Sequence, residues 1–342
     1  MKAHKPDYVV ILCLAFLVVF GLITLASASS NLGQIKFGDS YYYLKHQILY
    51  GLSFGLAGFL FACVFYYRHY QKIAFIALLI SIGLLFLVFT PLGFKAGGAE
   101  RWVRLGPITF QPAELLKITV ILYLSAWLAG QRERSKAFWS GFVPFLILLG
   151  LVASLLVRQP ATTTVVIIMA AAMVVYFVSG AKLAYIMGAV GIGALALALL
   201  ILLTPYRFER VLNFLKPSDP LAGGYHLNQA LIAIGSGGIL GVGYGESTTK
   251  IAYLPEPIGD SIFAVLAEEF GFAGSVSLIA IFAVLTLKIF LLAKKTKDRF
   301  GRLVLVGFGT LIGLQAFINI GAISGLLPLT GVPPPFISYG GT

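Results

Sequence analysis

The chain is short of charge. Only 11% of its 342 residues are Asp, Glu, Lys or Arg, where soluble domains carry roughly a quarter. With 59% hydrophobic residues and a mean hydropathy of +0.94, that deficit excludes a soluble globular fold. Acidic residues are the scarcer sign, 13 against 25 basic ones, so a carboxylate beside an apolar run asks for a reason. Cysteine is nearly absent. Cys13 and Cys63 lie inside apolar runs, which excludes a disulfide framework and a cysteine metal site. No GxxxxGK[ST] occurs, and the glycine-rich stretch around 235–245 is not a strand–turn–helix, so nothing signals nucleotide binding. A net charge of +12 would point to nucleic acid in a soluble domain. Here it reads as membrane topology, and no nucleic-acid partner is expected.

What the chain does have is a succession of apolar runs long enough to cross a bilayer, roughly 20 residues each. Spans are expected at about 9–28, 46–66, 72–92, 112–130, 139–157, 163–180, 183–203, 260–292 and 303–325. A tenth would start near Ile337, truncated by the end of the chain at Thr342. A β-barrel would show short alternating segments instead. The first run is too long for a signal-peptide core. The run 260–292 exceeds one bilayer width, so that helix must tilt, kink or project. The expectation is an all-α polytopic membrane protein, one domain over 1–342, with a large loop at 204–259 between the seventh and eighth spans.

Basic residues cluster in loops 1–8, 67–71, 131–138, 181–182 and 293–302. These fall on alternate sides of the spans, which places the N-terminus in the cytoplasm. The opposite side carries 29–45, 93–111 and 204–259. A loop as long as the last is usually functional, and its glycines, interleaved with apolar turns, suggest short amphipathic helices and tight turns. No internal repeat is visible, against the inverted-repeat transporters.

Several polar residues break the apolar rule. Asp260 sits where the long loop ends and a hydrophobic helix begins, either as an N-cap or as a functional carboxylate. Glu268 and Glu269 lie about two turns deeper, on different faces, so at most one lines a site. Glu114 and Lys117 are three apart and can pair. They either form a structural ion pair or, through Lys117 with Arg101, face an anionic head group. Arg158 and Gln159 stand in a short outer turn, with Arg158 snorkelling or both touching polar substrate. Arg207, Arg210 and Lys250 are either solvated loop charges or a surround for phosphate, which suits arginine's fork of donors. Asp260 thus shares one face with Arg101, Arg104, Lys117, Arg158, Arg207, Arg210 and Lys250. A lone carboxylate in a basic basin fits a general base beside a bound pyrophosphate.

A set of motifs runs in order across nearly the whole chain. They are Ala26-Ser-Ala-Ser29, Arg101-Trp102, Gln111-Pro112-Ala113-Glu114-Leu-Leu-Lys117, Gln159-Pro160, Gly224-Tyr225 and Gln229 through Gly238. Then come Lys250, Leu254-Pro255-Glu256 up to Asp260, Ile262-Phe263-Ala264, Glu268-Glu269 and Leu327 through Gly341. In these the chain resembles the SEDS family, the shape, elongation, division and sporulation proteins typified by RodA, FtsW and SpoVE. The compact Gly241–Lys250 stretch is more similar to the division branch than to the elongation branch.

The resemblance implies ten transmembrane helices with a large extracytoplasmic loop before the eighth. It implies an inverting peptidoglycan glycosyltransferase that polymerises lipid II, an undecaprenyl-pyrophosphate disaccharide-peptide, at the outer face of the bacterial cytoplasmic membrane. Asp260 is then the catalytic residue, and Arg101, Lys117, Arg158, Gln159, Arg210 and Lys250 contact substrate. A class B penicillin-binding protein is the implied partner, and a divalent cation, Mg or Mn, could assist the pyrophosphate. The alternative is a lipid II flippase. The chain departs from the family pattern at Ala161-Thr162, where an Asp-Leu pair is usual, and at Ile258-Gly259, where His-Thr usually precedes the Asp.

Overall fold

A computed structural model describes residues 6–96, 99–105, 108–131, 133–215 and 224–340. Arg132, Gly223, Gly97-Gly98, Gly106-Pro107 and Gly341-Thr342, all within segments singled out above, lie outside the described residues.

Among the described residues eight helices are long and apolar enough to cross a membrane: Tyr8–Phe37, Tyr42–Val64, Arg68–Leu87, Pro112–Gly130, Phe138–Arg158, Leu183–Leu202, Ile262–Lys295 and Arg299–Ile323. A shorter apolar helix, Thr162–Val178, stands at the sixth expected span. We label these α1 (Tyr8–Phe37), α2 and α3 (Tyr42–His46 and Ser53–Val64, continuous through a π-helical turn), α4 (Arg68–Leu87), α5 (Pro112–Gly130), α6 (Val143–Arg158), α7 (Thr162–Val178) and α8 (Leu183–Leu202). In the long loop lie α9 (Pro205–Leu215), α10 (Tyr225–Ser236) and α11 (Thr249–Ala252), followed by α12 (Ile262–Lys295) and α13 (Arg299–Ile323). Residues 324–340 form no helix, so the tenth helix has no counterpart among the described residues.

Local sequence explains the helix ends. Asp7 caps α1, accepting from Val9 N at 3.1 Å, and Gly38 closes it with a left-handed φ of 69°, a conformation that costs glycine little. Pro112 opens α5, where a missing N–H is harmless. Asp298 caps α13 through Gly301 N at 2.8 Å.

Helix α13 is the axis of the bundle. It packs against α12 on one side and α5 and α7 on the other. One apolar core joins α4–α7 to α13 around Leu116, Phe145, Ile167 and Tyr176. The other joins α1, α10 and α12 to α13 around Leu25, Ala233, Leu266 and Leu285. By contrast α2–α3 and α8 bury almost nothing, as expected of helices whose outward face meets lipid.

The basic loops gather at one end. Asp7 pairs with Lys288 at 3.2 Å, Arg68 with Asp298 at 3.3 Å, and Arg299 donates to Ser179 O at 3.0 Å. The alternation of charge read from the sequence therefore corresponds to a real end of the bundle. At the other end the structure adds what the all-α expectation lacked, a three-stranded antiparallel sheet of β1 (Gly93–Ala96), β2 (Ala99–Leu105) and β3 (Ile108–Phe110). Val103 pairs with Phe110 and Gly93 with Val103. Strands of three to seven residues carry too short a period-two pattern to stand out beside spans of this hydropathy.

Candidate active site

The site is assembled around a break in α12. At Gly271 the backbone turns to φ 65°, ψ −160°, so the over-long span resolves by kinking. A break frees backbone groups that must find partners in an apolar setting. The glycine-rich turn supplies them. Val242 N and Gly243 N donate to Glu268 O and Glu269 O at 3.0 and 3.2 Å, while Phe272 N and Ala273 N donate to Gly238 O and Ile239 O at 2.9 and 3.1 Å. Contact this close requires glycine. A Cβ on Gly237 would stand 2.0 Å from Ala267 O, and one on Gly241 would stand 2.1 Å from Glu269 O.

Both carboxylates beside the break are buried and engaged. Glu268 accepts from Ser247 Oγ at 2.6 Å, from Thr248 N at 3.1 Å and from Thr249 Oγ1. Glu269 pairs with Lys250 Nζ at 2.6 Å and accepts from Ser27 Oγ. Lys250 Nζ also donates to Ser27 Oγ at 2.7 Å and to Gly245 O at 2.8 Å, so its three hydrogens are all engaged within the protein. The structure therefore places Lys250 inside the α1–α12 packing rather than on an open basic surface.

Asp260 lies above this cluster, in the turn that leads into α12. It does not cap the helix. Ser261 holds the N-cap position without a side-chain cap bond, and its hydroxyl donates to Pro255 O at 2.7 Å instead. The turn is strained, with Glu256 at φ 48°, a region L residues visit rarely outside functional loops. Asn319 of α13 braces the turn, donating through Nδ2 to Asp260 O and to Val332 O, each at 2.9 Å. One turn earlier, Gln315 donates to Pro333 O at 2.9 Å. The Asp260 carboxylate faces Gly331, whose φ is 62° and where a Cβ would lie 3.2 Å from Asp260 Oδ2.

Asp260 opens into a cavity of about 300 Å³ whose lining includes Tyr206, Arg210, His226, Asn319 and Thr330. Burial raises its carboxyl to about 6, Glu256 adds to the rise, and Arg101 and Arg210 oppose it. His226 is lowered, first by burial and then by Arg210. The group nearest the chemistry is thus an ionisable carboxylate poised close to neutrality, with guanidinium charge near enough to feel it.

The other sequence-named residues divide. Arg210 lines the cavity, donating to Leu329 O at 3.4 Å and lying over the Tyr206 ring at 4.7 Å. Arg101 lies beside it, its guanidinium bonded to Gln159 O at 3.1 Å and Pro160 O at 2.5 Å. Gln159 is buried, with Nε2 on Leu85 O at 3.2 Å, and so supports Arg101 from behind. Arg158 is exposed at the end of α6. Arg207 is tied to Thr162 Oγ1 and Thr204 Oγ1, each at 2.9 Å. Arg104 covers the Phe94 ring at 4.4 Å. Lys117 is buried between Glu114 and Gln315, each at 2.7 Å, and does not line the cavity. His226 and Asn319 were missed. A signal existed for Asn319, since Gln315 and Asn319 are an i,i+4 amide pair on one face of an apolar span.

Among the described residues no cluster of three or more His, Cys, Asp or Glu forms. A divalent cation assisting the pyrophosphate would therefore find no ready-made protein cage among the described residues.

Comparison with known proteins gives a consistent result. A family described as cell cycle protein, the FtsW, RodA and SpoVE group, matches residues 7–342. The chain is 38% identical to a probable peptidoglycan glycosyltransferase FtsW of Geobacter metallireducens, covering all of this chain and 91% of the relative. It is 34% identical to stage V sporulation protein E of Bacillus subtilis, covering all of this chain and 93% of the relative. Among solved structures it is similar to a chain of a peptidoglycan synthase complex that coordinates polymerization and crosslinking, with TM-score 0.79, 30% identity, and 98% and 92% of the two chains covered. It is also similar to the rod shape determining protein RodA of Thermus thermophilus, with TM-score 0.71, 29% identity, and 98% and 90% covered. The chain belongs to the FtsW, RodA and SpoVE family of cell cycle proteins.

Proposed function

We propose that this chain is a peptidoglycan glycosyltransferase that polymerises lipid II at the outer face of the cytoplasmic membrane, with Asp260 as general base. The observation that carries the reading is a carboxylate raised to about 6 in a cavity it shares with Arg210. A base of that strength is largely ionised at neutral pH yet basic enough to accept a proton as an alcohol attacks. The acceptor sugar hydroxyl attacks the anomeric carbon of the donor and gives its proton to Asp260. The new C–O bond forms as the bond to pyrophosphate breaks, and the leaving undecaprenyl pyrophosphate carries the electron pair away. Arg210 and Arg101 meet that charge as it develops. An α-linked donor and a β-linked product need one displacement with inversion, so a single base suffices.

Lys117 and Lys250 are better read as structural cations that hold helices together, because each is buried against a carboxylate. Arg158, which is exposed, stays a candidate rim contact of the proposed substrate site, while buried Gln159 supports Arg101 through its main-chain oxygen rather than touching substrate. The N-terminus is assigned to the cytoplasm from the basic loops that gather at its end of the bundle, and the Asp260 end to the outside. The similarity to the division proteins favours the division branch, and the similarity to a chain of a synthase complex supports a class B penicillin-binding protein as partner.

The test is lipid II polymerisation by purified protein beside a transpeptidase-inactive partner. Wild type should make glycan strands, and Asp260→Ala and Asp260→Asn should not, at equal folding and partner binding. Strands from both variants would remove Asp260 as base. No strands from any form, with lipid II crossing vesicles, would make the protein a flippase.

A further inference from the structure

Beside the cavity at Asp260, two hydrogen-bond acceptors have no protein partner among the described residues. The first is on His226, the second residue of α10. Its Nε2 lies 2.6 Å from Ser261 Oγ. Ser261 has one hydroxyl hydrogen and commits it to Pro255 O at 2.7 Å, so toward His226 it can only accept. Nε2 therefore carries the ring hydrogen, and in the neutral imidazole Nδ1 is left as an acceptor. Among the described residues Nδ1 has no hydrogen-bond partner, and His226 lines the cavity.

The second acceptor is Asn319 Oδ1. Both amide hydrogens of Asn319 are held by backbone carbonyls, Asp260 O and Val332 O. Flipping the amide would set Oδ1 against two acceptors, so the network settles its orientation. Oδ1 is closed off from solvent and, among the described residues, has no partner, so it stands behind the cavity wall to which Asn319 contributes. Buried polar atoms are rarely left unpaired without a reason. An acceptor on His226 beside a carboxylate attracts donor hydrogens and repels phosphate oxygens, while Arg210 does the opposite. The cavity therefore sorts the two chemistries of a lipid-linked sugar.

Resting on the glycosyltransferase reading above, we propose that His226 Nδ1 binds a hydroxyl or amide hydrogen of the acceptor sugar and sets its attacking hydroxyl against Asp260, with Asn319 holding the Asp260 turn in place. The pyrophosphate stays on the Arg210 and Arg101 side. Ser261 acts as a positioning residue that fixes the His226 tautomer.

The test uses full-length protein in lipid nanodiscs with synthetic lipid II, comparing wild type, His226→Gln and Asp260→Asn. Gln at 226 keeps a donor for Ser261 but shifts the acceptor from the Nδ1 position to the amide oxygen next to that donor. His226→Gln should melt with wild type and lose roughly three- to tenfold in kcat/KM, mainly through KM, the worth of one neutral hydrogen bond. Acceptor analogues each lacking one sugar hydroxyl provide a second readout. Wild type should discriminate against one of them by a similar factor, and His226→Gln should no longer do so. Wild-type kinetics in His226→Gln, or unchanged discrimination across all analogues, would overturn the proposal. If Asp260→Asn polymerises normally, Asp260 fails as the base, and if wild type makes no strands the glycosyltransferase reading fails instead, whatever His226 does.

Discussion

Replacing Asp260 with Asn should make the protein more stable at neutral pH while removing its activity. The carboxyl is raised from 3.8 to about 6, chiefly by burial and next by Glu256. A raised acid pKa means the fold favours the protonated form. The penalty for ionising it is absent below pH 3.8, grows as pH rises, and is complete above about 6. A shift of that size corresponds to about 3 kcal/mol. Asn is nearly isosteric and never ionises, so Asp260→Asn should recover much of that cost at pH 7.5 and little of it near pH 4. For a chain of this size the gain amounts to a few degrees in melting temperature. Thermal unfolding in one detergent, wild type against Asp260→Asn at the two pH values, checks it. Equal melting at pH 7.5, or a gain of the same size at both pH values, would refute the claim that the fold works against an ionised Asp260. The carboxylate would then need another reason to be retained.

Other perturbations follow from the same geometry. Gly331→Ala forces a side chain into φ 62° with its Cβ 3.2 Å from Asp260 Oδ2. Backbone strain of about 1–2 kcal/mol should lower the melting temperature modestly, while polymerisation falls at least roughly tenfold because the carboxylate is displaced. Lys250→Met leaves Glu269 buried without its cation and should cost about 3–5 kcal/mol, seen as loss of folded yield. Adding Glu269→Gln should restore yield and polymerisation together, whereas yield without polymerisation would return Lys250 to the substrate site. Arg210→Gln removes a charge that holds Asp260 down, so the acid limb of polymerisation should move to higher pH, and Glu256→Gln should move it lower.

Much of the fold was legible because a bilayer imposes its length on a helix. The expected span 112–130 coincides with Pro112–Gly130, and 183–203 with Leu183–Leu202. The over-long run at 260–292 announced the break that Gly271 makes. The glycine cluster was visible as a turn-rich loop, but not as the plug for that break, because a pairing between residues 237–243 and 268–273 leaves no periodicity in sequence. Asp260 was legible from its place at a helix edge and from the resemblance. The basic basin was less so. Sequence spacing cannot distinguish Arg210, which faces the cavity, from Arg207, which is bonded to Thr162 and Thr204, although both lie on α9. Lys250 looked like a surface cation because its partners, Ser27 and Glu269, come from distant parts of the chain. His226 carried no local signal, since its meaning depends on Ser261 arriving beside it.

The central claim is that Asp260 accepts the proton in the sugar-transfer step. The pH dependence of kcat/KM for lipid II polymerisation tests it most directly, because that quantity reports the ionisation of the free enzyme. The account predicts a limb of unit slope that levels off above about pH 6, with activity at pH 5 about a tenth of the plateau. A profile that stays flat from pH 5 to pH 7.5 would contradict it.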